Sequence, residues 1–202
     1  CRRDVSGDGV VVPVLFVELP CDGGTLMTPL FTWANLVTSL RLTLIPATAL
    51  AMLNADWVLA ATVFTIVVIS DVVDGKLARA FDQASSLGGL LDHATDATYV
   101  SISTWVLAEL GLINPWLAPL IALAFIQYTL DSQVLAGRAL RASQIGRING
   151  IAYFVLVGTV IGAHAVNWSF LALPIQLLAW VLVITSLISM GDRLRALITS
   201  TA

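Results

Sequence analysis

The chain has 202 residues, of which 58% are hydrophobic and 11% are charged, and its formal net charge at pH 7 is −3. Soluble domains carry about 25% charged residues, so this composition excludes an ordinary soluble domain and predicts a polytopic membrane protein. The two cysteines, Cys1 and Cys21, both precede the first apolar segment, so they cannot form a disulfide between two such segments. We expect no nucleic-acid partner.

The amino-terminal stretch, residues 1–26, is rich in glycine, and we expect it to be irregular and to lie outside the fold. Its apolar run from Val10 to Val17 is broken by Pro13 and is shorter than the hydrophobic region of a signal peptide. Met27 begins a stretch that is typical of the start of a membrane protein. We therefore predict an upstream extension over residues 1–26 and a transmembrane domain over residues 27–202.

Six apolar segments follow, and each approaches the roughly 20 residues that a membrane-spanning helix needs. Tight polar connections at 54–56, at Gly111 and at Asn167 divide the segments into hairpin pairs. We predict an all-α integral membrane protein with six transmembrane helices, at residues 36–53, 57–73, 87–108, 112–130, 148–166 and 168–190.

The basic residues predict the orientation of this bundle. If the amino terminus is cytoplasmic, all 10 lysine and arginine residues fall on the inner side of the membrane, as the positive-inside rule requires. Trp57, Trp116 and Trp168 then fall at the outer ends of their segments, where tryptophan is common. We therefore expect both termini and the polar site described next to face the cytoplasm.

A cluster of acidic and small residues lies between the second and third segments. It has the pattern D-x-x-D-G-x-x-A-R-x8-G-x3-D-x3-D, formed by Asp71, Asp74, Gly75, Ala78, Arg79, Gly88, Asp92 and Asp96. Carboxylates are costly to bury in an apolar environment, and one arginine cannot neutralise four of them. The cluster therefore predicts bound cations, and two Mg²⁺ or Mn²⁺ ions suit such hard oxygen ligands.

Helical geometry places these residues on facing surfaces. At about 100° per residue, Asp71 and Asp74 share one face of the second helix, while Asp92 and Asp96 lie one turn apart on the third. Packing the two helices together would bring the four carboxylates to the inner end of the bundle. The small residues of the motif would let a nucleotide approach the backbone, although close helix–helix packing is the alternative explanation.

The motif resembles the signature of the CDP-alcohol phosphotransferases, membrane enzymes that make phospholipids. The resemblance implies metal-dependent attack of an acceptor hydroxyl on a CDP-alcohol, with release of CMP. It implies that Asp71, Asp74 and Asp92 are metal ligands, and that Asp96 is the general base and also lies near a metal. It also implies that Gly75, Arg79 and Ser85 contact the CDP moiety, with Ala78 and Gly88 leaving room for it.

The segment 35–41, followed by Pro46, is similar to the first helix of the same family. The resemblance implies that Asn35 and Thr38 line the nucleotide site, although either could instead cap the helix or bond to a neighbouring one. For Arg41 we favour an anchor that extends its charged group to the membrane surface over a ligand-binding role.

Further basic residues lie between the fourth and fifth segments, at Arg138, Arg141 and Arg147, and after the sixth, at Arg193 and Arg195. In family members with phosphorylated acceptors, basic residues in these regions bind the acceptor phosphate. The alternative is that they only fix the topology and attract the membrane surface.

The donor and acceptor remain open at this point. Chain size and the arginine-rich inner connections favour CDP-diacylglycerol and a small polar acceptor such as glycerol 3-phosphate, serine or an inositol phosphate. The string Asp92-His93-x-x-Asp96 is also similar to that of choline and ethanolamine phosphotransferases, which use a soluble CDP-alcohol and a lipid alcohol. His93 points 100° away from Asp92 on a helix, so we favour packing over catalysis for it.

A divalent-cation transporter is the alternative outside this family, because such proteins also place carboxylates in the membrane. The sequence disfavours it, since no second acidic layer lies toward the outer end of the segments. The resemblance further implies a homodimer and a location in the bacterial inner membrane, with the active site on the cytoplasmic side.

Overall fold

The structure, a computed structural model, describes the backbone of residues 16–21, 24–29, 33–80, 86–131 and 144–201, and the side chains of residues 41–72, 89–130 and 144–195. The described chain contains one hairpin followed by six α-helices, so the prediction of six helices is confirmed. The elements are β1 (Phe16–Cys21), β2 (Gly24–Pro29), α1 (Trp33–Leu53), α2 (Trp57–Ala80), α3 (Ser86–Glu109), α4 (Leu117–Asp131), α5 (Gln144–Ala165) and α6 (Ala172–Thr201).

The hairpin corrects part of the sequence prediction, because residues 16–21 and 24–26 are paired strands instead of irregular chain. β1 and β2 are antiparallel, with Phe16 opposite Pro29 and Cys21 opposite Gly24. The sequence between the strands is Asp22-Gly23, a dipeptide that favours tight hairpin turns. Residues 1–15 lie outside the described part of the chain, and the proposal that residues 1–26 form an extension stays a prediction.

Short connections make neighbouring helices antiparallel. Between α1 and α2, the amide of Asp56 donates to the carbonyl of Ala51 at 2.9 Å, and Ala55 takes a positive φ of 56°. The carboxylate of Asp56 then accepts from the amide of Leu59 at 3.1 Å, which caps the start of α2. The connection between α5 and α6 has a similar residue, Asn167, at φ 58°. The predicted breaks at these two positions are confirmed.

The fourth helix begins later than the apolar pattern predicts, at Leu117 instead of residue 112. Gly111 takes a positive φ of 73°, which glycine adopts without strain. Pro115 disfavours the helical conformation for Asn114, which precedes it. These two residues delay the helix although the intervening side chains are apolar.

Each helix packs against at least two others. α1 contacts both α2 and α3, α4 contacts α3 and α6, and α5 contacts α2 and α6. An aromatic group joins three helices near the centre, where the rings of Tyr99 and Phe154 stack with centroids 5.9 Å apart and Phe64 lies 6.3 Å from Tyr99. Because α1 lies against both α2 and α3, a side chain on α1 can reach residues of both.

The outer surface of the helices is strongly apolar. In the described chain, two segments are long and apolar enough to cross a membrane, Gln144–Ala165 and Ser169–Arg195, and three shorter apolar stretches lie on α1, α2 and α4. On α6, Leu173 is 69% exposed and Leu177 is 58% exposed. Apolar exposure on this scale is unusual for a soluble monomer and indicates a membrane protein.

Candidate active site

Arg41 is the centre of the polar cluster at one end of the bundle. Its side chain is fully buried, and its Nη1 donates to Asp96 Oδ1 at 2.7 Å and to Asp92 Oδ1 at 3.0 Å. The same nitrogen lies 3.2 Å from Asp71 Oδ1. The expectation that Arg41 extends to the membrane surface is therefore wrong, because its guanidinium is enclosed by carboxylates from two other helices.

Chain direction explains why these residues meet. Arg41 lies in the first half of α1, Asp71 in the last half of α2, and Asp92 and Asp96 in the first half of α3. Since successive helices run in opposite directions, these positions fall at the same end of the bundle. The structure thus brings together three of the four predicted carboxylates, while the side chain of Asp74 lies outside the described residues.

The carboxylates are partly exposed, whereas Arg41 is not. Asp71 is 43% exposed, Asp92 34% and Asp96 24%, whereas Arg41 has no exposed surface. Among residues 41–72, 89–130 and 144–195, one guanidinium therefore lies against three formal negative charges at this centre. Like charges held this close favour the binding of a further cation.

The carboxylate oxygens fit a divalent metal ion. The Oδ1 atoms of the three aspartates all lie within 3.2 Å of Arg41 Nη1. Their arrangement therefore already binds one positively charged group. Mg²⁺ and Mn²⁺ prefer carboxylate oxygen ligands and small coordination spheres. The described residues therefore contain a group of carboxylates whose chemistry suits a divalent metal ion.

His93 lies closer to this group than the helical angle predicts. One of its ring nitrogens and one carboxylate oxygen each of Asp92 and Asp96 all lie within 4.8 Å of one another. Its ring also faces that of Tyr128, with centroids 5.9 Å apart. An imidazole is a poorer ligand than a carboxylate for Mg²⁺ or Mn²⁺, so the contact with Tyr128 supports the predicted packing role.

A second arginine, Arg193, also contacts Tyr128. The guanidinium carbon of Arg193, on α6, lies 4.9 Å from the centroid of the Tyr128 ring, within the range of a cation–π interaction. Nη1 of Arg193 is buried and has no hydrogen-bond partner among the side chains and backbone that the structure describes. Buried donors normally have partners, so this nitrogen is available to an anionic ligand.

The other predicted site residues have a more limited description. Arg147, at the start of α5, is exposed, whereas Arg138 and Arg141 lie outside the described residues. The predicted nucleotide contacts either lie outside the described residues or have undescribed side chains, which concerns Asn35, Thr38, Gly75, Ala78, Arg79, Ser85 and Gly88.

Comparison with known proteins identifies the family that shares this pattern. A model of the CDP-alcohol phosphatidyltransferase family matches residues 31–189. That range includes Arg41 and the whole acidic motif, and it ends just before Arg193.

Three bacterial relatives show how far the similarity extends. The CDP-diacylglycerol–glycerol-3-phosphate 3-phosphatidyltransferase of Cereibacter sphaeroides is 36% identical over 88 residues, which are 41% of this chain and 39% of that protein. A candidate cardiolipin synthase of Mycobacterium tuberculosis is 41% identical over 88 residues, 42% of this chain and 41% of that protein. The chain thus spans about two fifths of the length of these relatives.

The third relative is matched over most of its length. The CDP-diacylglycerol–glycerol-3-phosphate 3-phosphatidyltransferase of Bacillus subtilis is 27% identical over 178 residues, 79% of this chain and 92% of that protein. Its match therefore covers far more than the acidic motif.

Proposed function

Because the chain belongs to the CDP-alcohol phosphatidyltransferase family, we propose that it transfers a phosphatidyl group from CDP-diacylglycerol to a small polar alcohol. The observation that carries the proposal is the convergence of Asp71, Asp92 and Asp96 on one cation position. The donor is supported by the names of the Cereibacter and Bacillus relatives. The same names make glycerol 3-phosphate the first acceptor to test.

The acidic residues divide the work of the reaction. Asp71, Asp74 and Asp92 hold two Mg²⁺ or Mn²⁺ ions, and Asp96 lies beside them as the base. When bound, such ions neutralise pyrophosphate charge and polarise the attacked phosphorus. The Oδ1 atoms of Asp71 and Asp92 both lie within 3.2 Å of Arg41 Nη1, which supports a shared ion.

Asp96 accepts the proton of the acceptor hydroxyl. The acceptor oxygen then bonds to the phosphorus distal to cytidine, the bond from that phosphorus to the bridging oxygen breaks, and CMP leaves. Asp96 is the least exposed of the three carboxylates around Arg41, at 24%, and one of its oxygens accepts a hydrogen bond from Arg41. That bond fixes the side chain, which supports its use as a positioned base.

The nucleotide binds between α2 and α3, at the small residues of the motif. Gly75, Ala78 and Gly88 leave space for the CDP moiety, and Ser85 and Arg79 contact it, with Arg79 pairing to a donor phosphate. Asn35 and Thr38, both on α1, complete this pocket, because α1 packs against both helices that carry the motif.

The acceptor lies on the side of the site that carries positive charge. Arg193 supports this arrangement, since a buried guanidinium nitrogen without a partner in the described chain can bind a phosphate oxygen. Arg147, at the start of α5, and Arg138 and Arg141, which precede α5 in the sequence, supply further positive charge. A phosphorylated acceptor such as glycerol 3-phosphate suits this distribution better than a neutral alcohol.

The six helices cross the bacterial inner membrane with the site on the cytoplasmic side. The exposed apolar side chains of α6 support insertion, and the distribution of lysine and arginine supports the orientation. The protein acts as a homodimer, as the resemblance to its family implies. Both substrates then approach from the side on which the carboxylates are exposed.

The test is a transfer assay with the purified protein in lipid nanodiscs. CDP-diacylglycerol is supplied with glycerol 3-phosphate, serine, an inositol phosphate or phosphatidylglycerol, in Mg²⁺, Mn²⁺ or EDTA. We expect release of CMP and a new phospholipid identified by mass, both dependent on the divalent ion. Product formed only from CDP-choline or CDP-ethanolamine and diacylglycerol would replace the proposed donor, and ion flux without CMP release would indicate a transporter.

A further inference from the structure

Arg41 lies where a metal ion would have to bind the same carboxylate oxygens. Its Nη1 lies within 3.2 Å of one oxygen from each of Asp71, Asp92 and Asp96. A Mg²⁺ ion binds carboxylate oxygens at about 2.0–2.1 Å. A guanidinium nitrogen and a divalent ion therefore cannot both lie at the centre of these three oxygens.

Burial prevents Arg41 from leaving for water. Its side chain has no exposed surface, and an unpaired buried charge is strongly destabilising. The three aspartates are each more than 20% exposed, so they can be approached from the solvent side. The guanidinium is thus held among the carboxylates by its burial, while the exposed surface of the carboxylates is accessible to a soluble ion.

We propose that Arg41 is a resident counter-cation, which holds the carboxylates together in the metal-free protein and competes with divalent ions for their oxygens. The inference rests on the metal-binding role of Asp71 and Asp92 in the proposed function. It makes Arg41 a positioning residue with two opposite effects. Arg41 stabilises the fold when metal is absent, and it weakens the affinity of the site for metal.

A simple scaffold role predicts a different result. If Arg41 only orients carboxylates that the ions then bind, its removal leaves them misplaced and weakens metal binding. If Arg41 competes, its removal leaves three carboxylate oxygens without the guanidinium and makes the cluster more negative by one charge. Metal binding then becomes tighter. The sign of the change in Mn²⁺ affinity therefore separates the two roles.

The experiment compares Arg41→Gln with the unaltered protein in nanodiscs, without substrate. The Mn²⁺ dissociation constant is measured by electron paramagnetic resonance, and the melting temperature is measured in EDTA and in Mn²⁺. We expect the Mn²⁺ dissociation constant to fall by about tenfold or more. A change of that size corresponds to the free energy of one hydrogen bond to a charged group. The melting temperature should fall in EDTA and largely recover in Mn²⁺.

Two variants provide the controls. Thr48→Val removes a neutral hydrogen bond between α1 and α3, in which the Tyr99 hydroxyl lies 3.2 Å from Thr48 Oγ1. It should lower the melting temperature equally in EDTA and Mn²⁺ and leave the Mn²⁺ affinity unchanged. Arg41→Lys retains the charge, so its Mn²⁺ affinity should stay close to that of the unaltered protein.

An unchanged or weaker Mn²⁺ affinity in Arg41→Gln would overturn the inference. If that variant does not fold, the unaltered protein provides a second test. Competition requires that Mg²⁺ shift the ¹⁵N guanidinium resonance of Arg41. An unshifted resonance would contradict competition. These outcomes are independent of transfer activity. Tighter Mn²⁺ binding without CMP release would overturn the proposed function alone, whereas CMP release with no Arg41 effect would overturn only this inference.

Discussion

At one end of the bundle three carboxylates share a single guanidinium nitrogen, whereas at the other end polar groups pair with nearby backbone. At that second end, Asp56 caps α2, Gln176 donates to the carbonyl of Leu112 at 2.8 Å, and His164 lies 2.9 Å from the carbonyl of Val160. Asn114 is the exception, since neither of its buried amide atoms has a partner in the described chain. Paired polar groups stabilise connections, while excess charge of one sign creates a site for ligands.

The largest effect should come from Asp96. Asp96→Asn removes the base while the other carboxylates remain, so turnover should fall by about 10²–10⁴-fold with little change in donor affinity. The measurement is CMP release and donor binding across a Mg²⁺ titration. Recovery of turnover at high Mg²⁺ would instead identify Asp96 as chiefly a metal ligand.

Asp92 and Asp56 test the contrast between the two ends directly, because Asp92 lies at the charged end and Asp56 lies at the other end. An amide lacks the negative charge that the ion requires, so Asp92→Asn should raise the Mn²⁺ dissociation constant about 10- to 100-fold. Asp56→Asn, whose amide oxygen can still cap α2, should leave that constant unchanged. Equal effects from the two variants would mean that the charge of the whole protein, and not the cluster, attracts the ion.

Arg193 sharpens the comparison within the charged end. Arg193→Gln should raise the KM for glycerol 3-phosphate by about 10- to 100-fold, because a charge-assisted hydrogen bond to phosphate is lost. The KM for CDP-diacylglycerol should change little. A similar rise for both substrates would show that Arg193 supports the site through its contact with Tyr128 instead of binding the acceptor.

The smallest effect should come from the apolar centre, away from both ends. A Cβ added at Gly158 would lie 2.7 Å from a ring carbon of Phe64. Because the close atoms belong to a side chain that can shift, Gly158→Ala should lower stability by about 1 kcal/mol, the lower end of the range for overpacking. Gly162 has open space within 4 Å, and Gly162→Ala should be neutral or stabilising. Melting temperatures of both variants decide this, and equal values would mean that the ring moves aside at no cost.

Local sequence rules predict the helices well because they describe one helix at a time. The capped turn at Asp56 and the positive φ at Asn167 follow from turn chemistry, and α1 and α2 begin or end near the predicted residues. Apolar composition places the start of α4 too early, because Gly111 and Pro115 override it. Composition likewise predicts irregular chain where β1 and β2 pair, although Asp22-Gly23 is a hairpin signal.

The centre of the candidate site was only partly predictable. Helical angles place Asp92 and Asp96 on one face, but they do not show which helix covers that face. The sequence therefore predicts a surface anchor for Arg41. Arg41 lies seven residues, or two turns, before Thr48, so the two share one side of α1. Both contact α3. Polar residues repeating at that spacing were a usable signal for a buried face.

The length of α4 has a consequence for the surrounding lipid. Its 15 residues extend about 22 Å, whereas the hydrocarbon core of a typical bilayer is about 30 Å thick. In the proposed membrane orientation, the described residues of α4 cover only part of that thickness, and the connection before Leu117, where Gln176 donates to the carbonyl of Leu112, lies at the outer end. We therefore expect acyl-chain length to act on the helix that carries Tyr128 and, through it, on the geometry of the charged end.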